Sequence, residues 1–112
     1  SACQRIRRSI AAEPLYIAGH DRACTAINSA YGEAITVKTG AEGVYSAAFH
    51  ELGLGSVLKA RDGNKRGAEV AIGAVIRALG YPTDGLVKNF FEPKVLNWAG
   101  EEVGDITVPQ FL

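Results

Sequence analysis

Three short apolar segments separated by glycine-containing turns constrain the fold more than any other feature of this sequence. They cover residues 34–37, 44–49 and 54–58. Runs of this length that are rich in β-branched and aromatic residues and bounded by glycine are typical of β-strands. A parallel arrangement would need a crossover of about a dozen residues, and these connections are much shorter. The sequence therefore predicts an antiparallel meander with strands at residues 33–39, 43–51 and 54–61.

The middle strand of this meander has no strongly polar side. Successive residues of a strand point to opposite faces of the sheet. One face of the middle strand would carry Val44, Ser46 and Ala48, and the other would carry Tyr45, Ala47 and Phe49. Because neither set is strongly polar, we expect both faces of the middle strand to be covered.

Helical periodicity predicts three helices around the meander. The segment 65–79 keeps apolar residues at the i, i+3 and i+4 spacing over three turns, and residues 2–12 show a shorter stripe of the same kind. A third helix is predicted at residues 21–30, with Asp21 as its N-cap. Residues 15–18, between the first two helices, are predicted to be extended. Gly67 and Gly73 lie inside the long helix and indicate that it packs closely on the sheet.

The last third of the chain has a weaker pattern. Residues 86–97 predict a short helix followed by an anchoring loop, and the alternation in 102–108 predicts a final strand. Val103, Ile106 and Val108 are the expected buried residues of that strand. The predicted fold class is α+β, with the three-strand meander and the C-terminal strand forming an antiparallel sheet packed against helices. Residues 1–112 are predicted to form one segment of a single domain.

Charge and hydropathy exclude two classes of partner. Twelve basic and twelve acidic residues cancel, so the chain has no overall field to attract nucleic acid or an anionic membrane. The sequence contains no apolar run long enough to cross a bilayer. Hydrophobic residues make up 47% of the chain, which is typical of a globular protein with a core rather than of a disordered one.

The two cysteines do not form a recognisable metal or redox motif. Cys3 and Cys24 lack C-x-x-C spacing, and neither is close to a histidine in a metal-ligand pattern. Free cysteine in a helix usually behaves as a small buried hydrophobe. We therefore predict two reduced, buried thiols in a cytoplasmic protein, with no cofactor bound by this chain.

Lys38, Thr39 and Gly40 end the first predicted strand and could carry chemistry. The lysine ammonium can hold or activate a hydroxyl, the threonine can bond a carboxylate, and the glycine lets a ligand lie against the strand edge. These residue types are common, so the triplet alone also fits an ordinary solvated strand end.

Four blocks of sequence give the triplet a context, because they resemble the bacterial L-asparaginase II family in the same order. They cover nearly the whole chain and read AGHDRACTAINSAYG, KTGAEGVYSAAFHELGLGSVLKARDG, RGAEVAIGAVIRALG and VLNWAGEEVGDI. The resemblance is to the C-terminal third of the rhizobial type of this family. It implies that the chain is part of a serine β-lactamase-like fold.

The resemblance also implies roles for individual residues. Lys38 matches the lysine that closes the active site and pairs with a serine, so it is the expected catalytic residue. Thr39 and Gly40 match the two residues that follow this lysine in the family motif, on the strand edge along which substrate lies. Glu42, in the loop beyond, could meet the ammonium group of the substrate.

Several motifs of the family are not found in this sequence. They are the zinc motifs C-S-G-K and D-G-C-G. The resemblance also implies that the S-x-x-K nucleophile pair and the second active-site serine precede this segment; the spacing S-x-x-K itself occurs at Ser56 and Lys59, within the third predicted strand. We therefore expect this chain to be a fragment that is inactive alone, whose partner is the N-terminal part of the same protein. Zinc could be bound in the intact enzyme through ligands outside this segment. An uncovered sheet edge would also favour a homo-oligomer.

The function that the resemblance implies is hydrolysis of L-asparagine to L-aspartate and ammonia by a serine that lysine activates. Two alternatives remain open at the level of sequence. The segment could be a structural or interaction module without catalysis. It could also belong to another acyl-transfer hydrolase of the same fold, of the glutaminase or penicillin-recognising type.

Overall fold

A computed structural model describes residues 1–110. This part of the chain contains five α-helices and two antiparallel sheets. The helices are α1 (Ala2–Ala12), α2 (Leu15–Ala18), α3 (Ala23–Tyr31), α4 (Lys65–Ala78) and α5 (Lys88–Phe91). The strands are β1 (Ile35–Thr39), β2 (Val44–Phe49), β3 (Leu54–Lys59), β4 (Lys94–Leu96) and β5 (Glu102–Asp105). The α+β class is confirmed.

The three-strand meander is confirmed as well. Strands β1, β2 and β3 pair antiparallel in sequence order, so β2 is central. Lys38 lies opposite Ser46, and Ser46 lies opposite Val57 on the next strand. The register therefore brings these three side chains to the same face of the sheet, because residues directly opposite each other in a pair share a face.

The other face of the sheet, which we call the inward face, carries the core. Ile35, Val37, Tyr45 and Phe49 are all 1% exposed or less, and they cluster with buried residues of α3 and α4. Full burial of a large apolar side chain contributes about 1.5–3 kcal/mol, so this face supplies much of the stability. Helix α4 starts at its N-cap Asn64, whose side chain accepts a hydrogen bond from Arg66 N at 3.0 Å.

The opposite face, the outward face, is open in residues 1–110. Val57 is 76% exposed, Lys38 is exposed, and Ser46 and Ala48 are only half-buried. The expectation that both faces of the middle strand are covered is therefore wrong for this part of the chain. The small side chains of alanine and serine explain the error. They are not strongly polar, so the sequence pattern suggests a covered face, but they bury little area.

Two predictions before the meander are wrong. Residues 15–18 are helical, with Gly19 N donating to Leu15 O at 2.8 Å. Pro14, at φ −63°, already has the backbone angle that a helix start requires. Asp21 is not an N-cap, because its φ of 55° is left-handed. Arg22, which is extended, holds that position at the start of α3.

Gly73 packs closely, but against a helix rather than the sheet. A Cβ added at this position would overlap the ring of Phe91 in α5. Nothing lies within 4 Å of the corresponding position at Gly67. The close approach expected of α4 therefore occurs at one of the two glycines and joins α4 to α5.

The final strand does not join the meander. Strand β5 pairs with β4 as a separate hairpin and ends at Asp105, three residues before the predicted end. Val103 is 62% exposed, whereas Ile106 and Val108 are half-buried. β4 lies only a tight turn away along the chain. Pairing with it therefore closes a short loop, which costs less conformational entropy than pairing with a more distant strand. Asn97 stabilises the turn by accepting from Ala99 N and Glu101 N, and fully exposed Trp98 lies at its tip.

The two thiols lie in different environments. Both are free, and Cys24 is buried, but Cys3 is exposed, so the prediction of burial is wrong for Cys3. Cys3 is in the first turn of α1, and no residue of that helix is fully buried. Among the described residues, no helix combines the length and apolar character needed to span a membrane.

Candidate active site

Lys38 lies on the outward face, one residue from the end of β1. It is exposed, and its Nζ donates a hydrogen bond to the carbonyl of Thr39 at 2.8 Å. Ser46 is directly opposite on β2, and its Oγ donates to the carbonyl of Lys38 at 3.0 Å. A hydroxyl and an ammonium therefore stand on neighbouring strands of one open face. This arrangement could hold an anionic or polar ligand.

The surface around these two residues forms a shallow depression of about 300 Å³. Its lining comes from all three strands and includes Thr36, Lys38, Ser46, Ala48, Gly55 and Val57. A larger cavity of about 690 Å³ lies elsewhere, between α4, α5 and residues 105–110. None of the residues predicted to act in catalysis or substrate binding lines that larger cavity.

Thr39 and Gly40 lie at the end of β1 but face differently from Lys38. Thr39 is half-buried, and its Oγ1 donates to the carbonyl of Val44 at 3.2 Å. A Cβ added at Gly40 would lie 3.1 Å from the Cβ of Val44, so glycine lets the turn close against β2. The structure thus brings Lys38 and Ser46 together on one face and gives Thr39 and Gly40 contacts within the turn.

Glu42 lies in a single 3₁₀ turn at Ala41–Gly43 and is exposed. Its φ of 58° and ψ of 42° place it in the left-handed region, where a residue other than glycine costs roughly 1 kcal/mol or more. The turn packs against the segment between β3 and α4, since a Cβ on Gly43 would approach Ala60 Cβ to 2.9 Å. Glu42 is therefore exposed on a packed turn just beyond Lys38, Thr39 and Gly40.

The outer edge of β1 is closed by α3. Asn28 is completely buried; its Nδ2 donates to Val37 O at 3.0 Å, and its Oδ1 accepts from Val37 N at 3.0 Å. The amide of Thr39 donates to Cys24 Sγ at 3.2 Å. The hydrogen-bonding groups that an edge strand would present to a ligand are thus already used at Val37 and at the Thr39 amide.

A buried thiol and phenol lie beneath this strand end. Cys24 Sγ and Tyr45 Oη are 3.1 Å apart, and both residues are 1% exposed. Burial, reinforced by the contact with Cys24, raises the pKa of Tyr45 far above its ordinary value. The phenol therefore stays neutral and acts as a hydrogen-bonding group rather than as an acid.

His50 and Thr36 form a second polar pair near the outward face. His50 Nε2 and Thr36 Oγ1 are 2.8 Å apart, and Thr36 lines the same depression as Lys38. Burial, and then the charge of Arg7, lower the pKa of His50, while Glu33 opposes them. No sequence pattern links these two residues, because they lie 14 positions apart and meet only through the β1–β2 register.

The described residues do not fit a metal site. Within residues 1–110, no group of three or more His, Cys, Asp and Glu side chains could hold a metal ion.

The fold and the site together define a class of protein. This is an α+β domain with a one-sided antiparallel sheet that presents a lysine and a serine on its open face. The profile of the L-asparaginase II family matches residues 1–108, and the chain belongs to this family. A search of the curated proteins finds no match to it. Membership supports an L-asparaginase-like function, which is that of an amidohydrolase.

Proposed function

We propose that this chain forms part of an enzyme that hydrolyses L-asparagine to L-aspartate and ammonia. The observation that carries the proposal is Lys38, an exposed cation on the open face of a domain that belongs to the L-asparaginase II family. Exposure matters because a lysine confined to the core could not meet a substrate or a second catalytic group.

In the proposed mechanism, a serine outside this chain attacks the side-chain amide carbon of asparagine. The carbon–nitrogen bond breaks, nitrogen leaves as ammonia after taking up a proton, and an acyl-enzyme forms. Water then attacks the ester, releases aspartate and returns the proton to the serine. Lys38 supplies a positive charge and hydrogen-bond donors that hold a serine hydroxyl in place for proton transfer.

The remaining predicted site residues have supporting roles in this proposal. Glu42 is exposed on its packed turn and is the proposed contact for the substrate ammonium group. Thr39 and Gly40 shape the end of β1 beside the substrate. Ser46 is included in the proposed site as a neighbour of Lys38, because its Oγ donates a hydrogen bond to the Lys38 carbonyl at 3.0 Å.

The proposal also includes partners and a location. The nucleophile comes from polypeptide outside residues 1–112, in a serine β-lactamase-like arrangement that covers the outward face. The open edge of β3 supports self-association of the chain when it is isolated. Cys3 and Cys24 are free, as in proteins of reducing compartments, and we propose a cytoplasmic location.

The test compares two lysines in the intact protein that carries this segment. Lys38→Ala should lower ammonia release from asparagine by about 10²–10⁴-fold with little change in unfolding. Lys59→Ala is the matched control: Lys59 is also exposed on this face, and its Nζ likewise donates to the next carbonyl, that of Ala60, at 2.6 Å. Its turnover should stay within about twofold of wild type.

Two results would overturn the proposal. Unchanged turnover in Lys38→Ala would remove this lysine from the mechanism. Steady ammonia release by residues 1–112 alone would show that the nucleophile lies within this chain. Measuring glutamine and a β-lactam beside asparagine identifies the substrate, and faster turnover of either would reassign the enzyme to another acyl-transfer class.

A further inference from the structure

We propose that Asn28 is the positioning residue for Lys38, with Cys24 as a second anchor on the same helix. The inference rests on the proposed function, because positioning matters only if Lys38 acts on a reacting group. Neither residue approaches the outward face; both act on the backbone of β1 from its outer edge.

Asn28 replaces a neighbouring strand at one position of the sheet. Its amide group gives Val37 both an acceptor and a donor, at 3.0 Å each, which is the pair of bonds that an adjacent strand would provide. The same Nδ2 also donates to the carbonyl of Cys24 at 2.9 Å, one turn earlier in α3. The side chain is completely buried and uses both of its polar atoms, so it has one orientation available.

The two residues that flank Lys38 are therefore both fixed to α3. Val37 is bound by Asn28, and the amide of Thr39 is bound by Cys24 Sγ at 3.2 Å. On its other side, Lys38 pairs with Ser46 of the central strand. The backbone at Lys38 is thus anchored from both edges, and the direction in which its side chain leaves the strand is set by α3 as well as by β2.

This arrangement also predicts the direction from which a ligand approaches. Asn28 uses both backbone groups of Val37 and Cys24 uses the amide of Thr39, so a ligand at this edge meets only the Thr39 carbonyl, which accepts from Lys38 Nζ at 2.8 Å. We expect a ligand to lie on the outward face, over Lys38 and Ser46, where the depression is open.

The first experiment measures amide hydrogen exchange in Asn28→Leu, which has a similar volume but lacks both polar atoms. Ile27→Val is the matched control, since Ile27 is the adjacent residue of α3 and is equally buried. Asn28→Leu should lower the protection of the Val37, Lys38 and Thr39 amides at least about tenfold more than that of amides in α4. A uniform loss across both regions, as expected for Ile27→Val, would contradict local positioning.

The second variant, Asn28→Asp, separates positioning from packing. A protonated carboxyl can accept from Val37 N and donate to Val37 O, as the amide does, whereas an ionised carboxylate repels that carbonyl. Protection factors at Val37 should therefore recover as the pH is lowered and the introduced carboxyl takes up a proton. Wild type measured at the same pH values corrects for native titrating groups. The absence of recovery would mean that the paired hydrogen bonds are not what fixes the strand.

The third measurement is steady-state kinetics of the intact protein with asparagine. A positioning role predicts at least a tenfold lower kcat in Asn28→Leu with KM nearly unchanged, and kcat in Asn28→Asp that rises as pH falls. Wild-type kcat in Asn28→Leu would refute positioning of Lys38 while leaving the proposed function intact. If wild type does not hydrolyse asparagine, the proposed function fails, and the exchange data alone decide whether Asn28 orders the strand.

Discussion

The two faces of the three-stranded sheet differ sharply although they are built from alternate residues of the same strands. Phe49 on the inward face is inaccessible, whereas Val57 on the outward face is 76% exposed. The inward face supplies the apolar burial that stabilises the domain, and the outward face holds Lys38 and Ser46 beside few apolar contacts. Apolar burial and the proposed chemistry are thus assigned to alternate residues of the same strands by the two-residue period of a strand.

The largest expected effect comes from the inward face. Phe49→Ala should lower the free energy of unfolding by about 3–5 kcal/mol, because it removes a buried ring and leaves a cavity. In the same isolated chain of residues 1–112, Val57→Ala on the outward face should change it by no more than about 0.5 kcal/mol. Urea denaturation followed by far-ultraviolet circular dichroism measures both. Similar losses in the two variants would show that the faces are equally covered in solution.

A smaller effect is expected where the inward face contains a polar contact. Tyr45→Phe removes the hydroxyl 3.1 Å from Cys24 Sγ and should cost about 1 kcal/mol of unfolding free energy. Tyr16→Phe is the control, since Tyr16 is 88% exposed and should show almost no change. Equal unfolding midpoints for the two variants would mean that the buried contact contributes nothing.

The smallest effect is a pH dependence at the margin of the core. Burial raises the pKa of Glu69 above 4.5, against the opposing charges of Lys65 and Arg22. The native state therefore binds this proton more tightly than the unfolded state, so stability is lost as the pH rises from about 4.5 through the native pKa. Glu69→Gln should be more stable than wild type at pH 7 and equal to it at pH 4.

Chemical denaturation at the two pH values checks this sign. Glu51→Gln makes the same change in net charge at an exposed turn and serves as the control. A gain in both variants at pH 7 would point to overall charge rather than to the burial of Glu69.

Much of the fold could be predicted because its signals are local. The apolar periodicity of residues 65–79 gave a helix that ends one residue earlier, at Ala78, and the glycine turns gave the meander. The predictions that failed concern tertiary choices. Residues 102–105 had two possible partners, and the alternating pattern could not show that β4 would win over the meander.

The candidate site could be predicted only in part. Lys38 stood out because a resemblance pointed to it, and its role remains a prediction. Asn28 was missed, although one signal was present: it lies four residues after Cys24, so it shares the buried face of α3 with an apolar residue. A polar residue on such a face needs a partner, but the sequence does not say that the partner is the backbone of β1.

The hairpin of β4 and β5 has a practical consequence for optical work on this protein. Trp98 is the one tryptophan of the chain, and it stands in solvent at the hairpin tip rather than in the core. Its emission should already resemble that of the unfolded chain, so intrinsic fluorescence will barely register denaturation. The same property makes it a sensitive reporter of any macromolecule that settles on the tip, which would shift the emission to shorter wavelength.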